Sequence, residues 1–448
     1  MLVLSLMTLY FLLLLAISQE LSKSDWMNPA SICNASFFIC SLAELYNCLV
    51  FGTEVSLHGG LLICFFVTVF DVASLFFLLY FRQIKVQRSK LNASVESTTL
   101  VRIQVPTSLV LLAVVLGVVT AVLFLKDVRS AVSGPVAGDW NSLMNSYRTA
   151  SAYSGDDPSV GLSSLSNICF KLLTIFSFVY LIIGFNNIIC DGFSIKDALM
   201  LLPAAFYAIC QLLNGVRLGA IVFVCSCVCC IWILLSINSG WTIRITLGKF
   251  IKIVFALVFA CFLFWVASWF VGREVTLGPL DYICSYIGYS FVLFDKFLQN
   301  PGVASKYFGS ETFVALYSSF GRNFGFTNLV SSGNHEFRSW GSIDLGNVYT
   351  VFRLWYHDFG FGGTALFSLL TGLFYSNLYE HARMLHGGSP LSFSMISYTY
   401  LSSGIFSMPL VGKLTSSLFT PTTWFLAISS LFLSEWIKRY QKRQPPMN

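Results

Sequence analysis

Charged residues are scarce in this chain. Asp, Glu, Lys and Arg together make up 11% of its 448 residues, whereas hydrophobic residues make up 56%. Soluble domains carry about 25% charged residues, so this composition excludes a soluble protein and indicates one that lies in a membrane. The net charge of +6 is small for this length and gives no reason to expect a nucleic-acid partner.

The chain also lacks the short motifs of nucleotide and metal chemistry. It contains no Gly-x-x-x-x-Gly-Lys-Ser/Thr loop, no Gly-x-Gly-x-x-Gly turn after a strand, no His-Glu-x-x-His pair and no Gly-x-Ser-x-Gly elbow. No outward loop holds an Asp-x-Asp pair for a divalent metal ion, because Asp156 and Asp157 are adjacent. These absences disfavour nucleotide-driven and metal-driven reactions, and neither a cofactor nor a bound metal is expected.

Cysteine is frequent, but its positions do not suggest a metal or disulfide site. Most of the thirteen cysteines lie inside apolar runs, as in the cluster from Cys225 to Cys230, and the chain has only five histidines as partner ligands. We interpret these cysteines as packing residues. Cys284 clearly lies in a large loop, but one cysteine makes no disulfide framework.

Long apolar runs dominate the chain and predict its fold class. A membrane-spanning helix needs about 20 mostly apolar residues, and eleven segments satisfy this condition. The predicted fold is therefore an all-α, polytopic integral membrane protein, with residues 1–448 in a single transmembrane domain. The predicted spans are residues 2–18, 29–48, 59–81, 107–125, 167–186, 197–213, 218–237, 251–271, 359–379, 391–411 and 417–436.

Lys and Arg residues cluster in two links between spans and in the tail, and they set the predicted orientation. The two links are residues 82–106 and 238–252. All three basic segments fall on one side, which the positive-inside rule assigns to the cytoplasm. Two long segments, 126–166 and 272–358, then form loops on the outer side.

The second outer loop contains an apolar, aromatic stretch from Pro279 to Gln299. Asp281 and Asp295 interrupt this stretch, so the clean apolar run is too short to cross a bilayer. We expect an amphipathic helix that lies at the membrane interface. A loop of this length and aromatic content is more often functional than passive.

Arginine is preferred over lysine in the outward segments. A planar guanidinium binds a phosphate through two hydrogen bonds and keeps its charge at all physiological pH values, so an anionic ligand is the natural interpretation. A solvated loop of mutually paired charges would also explain each arginine alone. The candidates in the second loop are Arg322, Arg338 and Arg353.

Arg217 lies at the junction of two predicted spans, between Gly215 and Gly219. An arginine at this depth is costly unless it reaches the interface or a partner, so it is a functional candidate. The alternative is a long side chain that reaches back to the interface. The flanking glycines favour function, because they would let a phosphate approach the backbone.

The stretch from Asp344 to Gly363 gathers polar, aromatic and charged residues immediately before a span. If residues 346–358 are helical, Tyr349, Arg353 and either Tyr356 or His357 share one face. Aromatic rings and a guanidinium on one outward face suit a sugar phosphate. His357 and Asp358 then offer a general base, although a single histidine at a membrane surface is often structural.

Asp71 lies near the middle of a predicted span. A buried carboxylate in a membrane marks either a proton path or a structural ion pair. Lys171, in another span, is a possible partner, and we favour the pair because a transporter would show more such groups.

Two elements of the chain resemble the bacterial O-antigen polymerases, which join oligosaccharide repeat units. The first runs from Asn347-Val-Tyr-Thr350 through Arg353 and Tyr356 to Asp358-Phe-Gly360 at the head of a span. The second is Gly215-x-Arg217, which opens a mid-chain span on the outer face. The number of spans and the two large outward loops are similar as well. The arginine-and-glycine repeat described in some members has no clean copy here.

This resemblance implies a membrane-embedded glycosyltransferase of GT-C-like architecture in the bacterial inner membrane, active on the periplasmic face in lipopolysaccharide biosynthesis. It implies that undecaprenyl-diphosphate-linked oligosaccharides are the substrates, and that a chain-length regulator and a flippase are possible partners. Arg217, Arg353, Arg322 and Arg338 are then expected to bind the diphosphate, and Asn347, Tyr349 and Tyr356 the sugars. His335, His357 and Asp358 compete for the role of general base.

Two other functions stay open. An O-antigen ligase uses the same donor and topology, and only the Asn-Val-Tyr-Thr and Asp-Phe-Gly elements favour the polymerase. A transporter of lipid-linked oligosaccharide is disfavoured because the polar residues concentrate in one outward loop and the chain shows no inverted repeat.

Overall fold

Helices account for almost all regular structure in the computed structural model of the chain. It describes residues 1–448 apart from 92–99, 131–138, 154–161, 216, 244–261, 263–264, 269, 271, 273–276, 303–304, 332–334, 385–388 and 444–448. At residues 85–91, 151–153, 323 and 327 it describes the backbone alone. Within these ranges the all-α prediction is confirmed, with one short antiparallel hairpin that the sequence did not predict.

The helices follow the apolar runs of the sequence. They are α1 (Leu2–Ser22), α2 (Pro29–Phe51), α3 (Leu57–Leu91), α4 (Thr107–Ser130), α5 (Trp140–Tyr153), α6 (Ser164–Asp191), α7 (Ile195–Leu199), α8 (Leu202–Leu213), α9 (Arg217–Asn238), α10 (Pro279–Gly288), α11 (Ser290–Gln299), α12 (Val314–Phe324), α13 (Val351–Ala382), α14 (Phe393–Phe406), α15 (Lys413–Ser416) and α16 (Pro421–Arg443). The hairpin consists of β1 (Arg338–Trp340) and β2 (Ile343–Gly346).

Eight helical segments in the described part of the chain are long and apolar enough to cross a membrane. They are Leu2–Ser22, Pro29–Phe51, Leu57–Ile84, Thr107–Ser130, Ser164–Asp191, Ile195–Leu213, Arg217–Asn238 and Val351–Ala382. Each contains or closely overlaps one predicted span. Their number and composition are those of a multi-pass membrane protein.

The last two predicted spans and the one at 251–271 have different outcomes. Most of residues 251–271 lie outside the described residues. The prediction of a continuous helix over 391–411 is wrong, because α14 ends at Phe406. Pro409 explains the end, since a proline disfavours helical backbone at the preceding residue and lacks an N–H of its own. α16 is long, but it is not among the eight segments apolar enough to span.

The chain divides into two compact units, each built from separate stretches of sequence. Unit 1 consists of residues 1–94, 276–380 and 401–421. Unit 2 consists of residues 95–275, 381–400 and 422–448.

Close helix packing holds unit 1 together. α3 and α13 approach so tightly that a Cβ at Gly372 would lie 2.5 Å from the carbonyl oxygen of Phe70, and the hydroxyls of Ser74 and Ser376 are 2.6 Å apart. Small residues permit this approach in membrane proteins, where lipid offers no hydrophobic driving force and packing contacts supply the stabilisation. Glycine at 372 is therefore required by contact.

Aromatic side chains fill the interior of unit 1. The ring of Phe37 on α2 stacks on Phe291 of α11 and Phe352 of α13, with centroids 5.9 and 5.7 Å apart. The predicted single helix over 279–299 is observed as two helices, α10 and α11, which meet at Tyr289, a residue that keeps right-handed helical backbone values (φ −57°, ψ −16°). Most side chains of α11 are buried, so this helix belongs to the core of the unit.

Unit 2 is a bundle in which α4, α6, α8 and α9 pack on one another. Gly117 of α4 leaves room for the ring of Phe206 on α8. Helix α5, which precedes α6 in the chain, docks through Tyr147, whose hydroxyl donates to the Asn214 side chain at 3.0 Å. This contact fixes α5 beside the corner that precedes Arg217.

Candidate functional site

The candidate site lies in unit 1, at the amino-terminal end of α13. The predicted helix over 346–358 begins later than expected, at Val351, because Gly346 has a left-handed backbone (φ 78°) and β2 ends there. Tyr349 therefore precedes the helix. Inside α13, Gly360 adopts φ 65° and ψ −164°, which are not helical values. This break separates the polar first segment of α13 from its apolar remainder, and only glycine adopts it readily.

Arg353 is the centre of the site. Its Nη2 donates to Glu336 at 2.7 Å, and its Nη1 donates to Glu311. Its guanidinium lies over the rings of Phe297 and Tyr349, at 5.0 and 5.1 Å from their centroids. The guanidinium is thus held by two carboxylates and two aromatic faces, and the side chain is only 4% exposed. Its expected diphosphate role stays a prediction.

His335 lies against the same guanidinium. Its Nδ1 is 2.9 Å from Nη1 of Arg353. A guanidinium only donates hydrogen bonds, so we assign Nδ1 as the acceptor and place the imidazole hydrogen on Nε2. Burial lowers the pKa of His335 below its usual value, which keeps the ring neutral at pH 7.

His357 has the opposite arrangement. Its Nδ1 faces two carboxylates, Glu311 Oε1 at 3.5 Å and Asp358 Oδ1 at 3.4 Å. Carboxylates accept hydrogen bonds, so this position favours the tautomer with its hydrogen on Nδ1. The lone pair of Nε2 is then the one able to accept a proton. A nitrogen oriented in this way by a carboxylate is the usual geometry of a general base.

Asp358 fixes a neighbouring loop. Its carboxylate accepts hydrogen bonds from the Ser305 hydroxyl at 2.9 Å and from the backbone N–H groups of Glu311 and Thr312 at 3.1 and 2.6 Å. Its side chain has no exposed surface. Of the three residues expected to compete as general base, Asp358 is the one most fully used by structural contacts.

Arg338 is held by backbone carbonyls. Nη1 donates to Lys296 at 2.6 Å, Nη2 donates to Asn300 at 2.6 Å, and Nη2 also pairs with Glu336 at 2.9 Å. These hydrogen bonds hold β1 against the end of α11. Arg338 thus has three partners within the protein, and its expected diphosphate role stays a prediction.

The three residues expected to bind sugars make contacts within the protein around Arg353 and His335. Tyr349 donates its hydroxyl to the carbonyl of Glu336 at 3.1 Å, and the Asn347 amide reaches the carbonyl of His335 at 3.4 Å. The ring of Tyr356 packs among aromatic side chains of unit 1. Tyr349 is almost fully buried, and the Arg353 guanidinium lies over its ring. The expected contacts of these three residues with a sugar stay a prediction.

The two remaining arginines belong to other helices. Arg322 is exposed in the last turn of α12, and the described part of the chain gives it no ion pair. Arg217 is the first residue of α9 in unit 2 and is buried. Both keep the diphosphate role as a prediction.

The fixed charges of the cluster sum to a negative value. It contains two guanidinium groups, Arg338 and Arg353, against the three carboxylates of Glu311, Glu336 and Asp358, which gives −1 while both imidazoles are neutral. An anionic ligand would meet more negative than positive charge here. In the described ranges, no group of three or more His, Cys, Asp or Glu side chains is arranged to hold a metal ion.

Glu311 is the functional candidate that the sequence did not reveal. It contacts Arg353, which is 42 residues away in the chain, and it also faces His335 and His357. No local motif marks it. Its only signal in the sequence is that it is a carboxylate in the second outer loop. The buried ring of Phe297 beneath Arg353 was hidden in the same way by its apolar neighbours.

No known protein family, curated protein or solved structure matches this chain.

The buried Asp71 keeps its two alternatives. It lies in α3 of unit 1, with Asn34 of α2 as its polar neighbour, and the expected partner Lys171 belongs to unit 2. No hydrogen bond within 3.5 Å reaches either carboxylate oxygen in the described part of the chain.

Proposed function

We propose that this protein is an O-antigen polymerase, a membrane-embedded glycosyltransferase of GT-C-like architecture in the bacterial inner membrane. It would transfer a growing glycan from undecaprenyl diphosphate to the non-reducing end of a new lipid-linked repeat unit on the periplasmic face. One observation carries the proposal: a loop between membrane helices converges with the start of α13 on one arginine, two histidines and three carboxylates.

The chemistry of glycosyl transfer needs a base for the acceptor hydroxyl. The hydroxyl oxygen attacks the anomeric carbon of the donor, and the bond from that carbon to the diphosphate oxygen breaks. The hydroxyl proton passes to Nε2 of His357, because Glu311 and Asp358 face Nδ1 and support the imidazolium that forms. His335 is less suited, since its Nδ1 is engaged by Arg353.

The leaving group gains negative charge as its bond to the sugar breaks. Fixed guanidinium groups stabilise such charge without reorganisation, which suits a metal-independent reaction. Arg322 is the arginine of unit 1 proposed for this role, and the expected diphosphate role of Arg217 stays a prediction. Arg353 and Arg338 are already held by carboxylates and carbonyls, so their role is to position Glu311, Glu336 and the hairpin.

A gene deletion in the native host tests the proposed function. Loss of a polymerase leaves lipopolysaccharide with a core and a single repeat unit, whereas loss of a ligase or a flippase leaves the bare core. We expect single-unit material on a gel, and full-length ladders after complementation with the wild-type gene. Bare core in the deletion strain would refute the polymerase and favour the alternatives.

A further inference from the structure

The accessible atoms of the Arg353 cluster are those of its acceptors. The Arg353 side chain is 4% exposed, whereas the side chains of Glu311 and Glu336 are 22% and 36% exposed. The guanidinium donates from Nη1 and Nη2 into the protein, and two aromatic rings lie against it. A phosphate arriving from solvent would therefore meet carboxylates before it met the positive charge.

A sugar hydroxyl fits the same surface well. Each carboxylate oxygen accepts several hydrogen bonds, and bonds from a neutral donor to a charged acceptor are stronger than those between neutral groups. His335 adds a donor, because its hydrogen is assigned to Nε2, and its side chain is 19% exposed. Carboxylates beside an imidazole N–H match the alternating donors and acceptors of a sugar ring.

The position of Glu311 links this surface to the proposed base. Its Oε2 pairs with Arg353, and its Oε1 is 3.5 Å from Nδ1 of His357. A sugar bound through one hydroxyl at Glu311 therefore lies beside His357, and a second hydroxyl of the same sugar is the one that would reach Nε2, because Glu311 faces Nδ1.

We propose that Glu311 and Glu336, with His335 beside them, form the subsite for the acceptor sugar, and that the lipid diphosphate binds outside this cluster. This inference rests on the proposed function and assigns the substrate class of its site: a neutral sugar ring recognised through its hydroxyls. Arg353 acts as a positioning residue, which holds the two carboxylates at a fixed separation.

Separate probes for the two halves of the substrate test the subsite. The first is the lipid-free repeat-unit oligosaccharide released from the host glycolipid, and the second is undecaprenyl diphosphate without sugar. Equilibrium binding of each is measured on the full-length protein in nanodiscs. The variants are Glu311→Gln and Glu336→Gln, which keep the side-chain shape. Asp344→Asn is the matched control, because Asp344 is an exposed carboxylate that contacts only the nearby Gly346 N–H among the described residues.

We expect each glutamine variant to weaken oligosaccharide binding by roughly tenfold, the effect of losing one charge-assisted hydrogen bond, with the control unchanged. Binding of undecaprenyl diphosphate should stay at its wild-type value, which also shows that the variants are folded. Unchanged oligosaccharide binding, or a loss confined to undecaprenyl diphosphate, would overturn the subsite. If the wild-type protein binds neither probe, the proposed function itself fails.

Discussion

Two arginines in unit 1 each lie between two carboxylates, at opposite ends of α13. Arg353 lies between Glu311 and Glu336 near the start of the helix. Arg82 lies between Asp25 and Glu380 near its end, with both distances 3.1 Å. The two clusters contain the same charges. In one the arginine is more exposed than its carboxylates, and in the other it is less exposed.

At the Arg82 cluster the carboxylates are enclosed and the arginine is partly open. The side chains of Asp25 and Glu380 are 3% and 5% exposed, against 23% for Arg82. Tyr379 donates its hydroxyl to Asp25, and Arg82 donates to the carbonyl of Ser22. Around Arg353 the carboxylates are open, the arginine is enclosed, and two histidines are added. An enclosed cluster stabilises helix packing, whereas open carboxylates beside imidazoles can bind and deprotonate a ligand.

The largest expected effect on the rate of polymer formation comes from His357, which lies at the Arg353 end of α13. We expect His357→Gln to lower the rate of polymer formation by about a hundredfold to ten-thousandfold, the usual contribution of a general base. The rate is measured with purified protein and lipid-linked repeat units. His58→Gln is the matched control, since His58 is exposed near the start of α3. A His357→Gln variant that keeps most of its activity would exclude this residue as the base.

Conservative exchange of the two arginines should separate activity from stability. Lysine is a point charge that cannot hold two carboxylates in a fixed fork. We expect Arg353→Lys to lower the polymerisation rate by roughly tenfold. Arg82→Lys should leave the rate per folded molecule unchanged and cost about 1–2 kcal/mol of unfolding free energy, because partial exposure of Arg82 weakens its pairs. Thermal melting in detergent gives the second quantity; equal effects on activity would abolish the distinction.

The contributions of Asp25 and His335 to stability should change in opposite directions as the pH changes. Burial raises the pKa of Asp25 to about 6 and lowers the pKa of His335 below 6.5. The carboxyl of Asp25 therefore contributes less stability as the pH rises from about 4 to 6. His335 costs stability as the pH falls below about 6.5, because the unfolded chain binds its proton more readily. For Asp25 the effect is about 3 kcal/mol at most.

Melting curves between pH 4 and 8 check these signs. The stability of Asp25→Asn relative to the wild type should rise with pH, and that of His335→Gln relative to the wild type should rise as the pH falls. Glu311, Glu336, Arg353, His357 and Asp358 all surround His335, so each variant is compared with the wild type at the same pH. Parallel curves for all three proteins would contradict the prediction.

Two buried tyrosines allow the two ends of α13 to be compared by single hydrogen bonds. Tyr379→Phe removes a hydrogen bond of 2.6 Å to the carboxylate of Asp25, which should cost about 1.5–3 kcal/mol. Tyr349→Phe removes a bond of 3.1 Å to a neutral carbonyl, which should cost about 0.5–1.5 kcal/mol. Thermal melting ranks the two variants. A larger loss from Tyr349→Phe would mean that the hydroxyl at the Arg353 end contributes more than its geometry indicates.

Apolar runs predicted most of the helices because a spanning helix must be apolar over its length. They could not predict the division into α10 and α11 at Tyr289 or the burial of α11, since both depend on packing against other helices. In the site, Arg353, His335, His357 and Asp358 could be identified from the sequence, because they are polar residues in a mostly apolar chain. Their partners stayed hidden, because contacts such as the one from Glu311 to Arg353 join residues far apart in sequence.

The break at Gly360 has an electrostatic consequence. A continuous α13 would place the negative end of its helix dipole near Ala382, far from the site. Because Gly360 leaves helical geometry, the first segment ends within three residues of His357. A positive charge on this imidazole then lies in the last turn of a helix, where the partial negative charge of unpaired carbonyls stabilises it by about 0.3–1 kcal/mol. The break at Gly360 thus places a helix end where it stabilises the protonated form of the base.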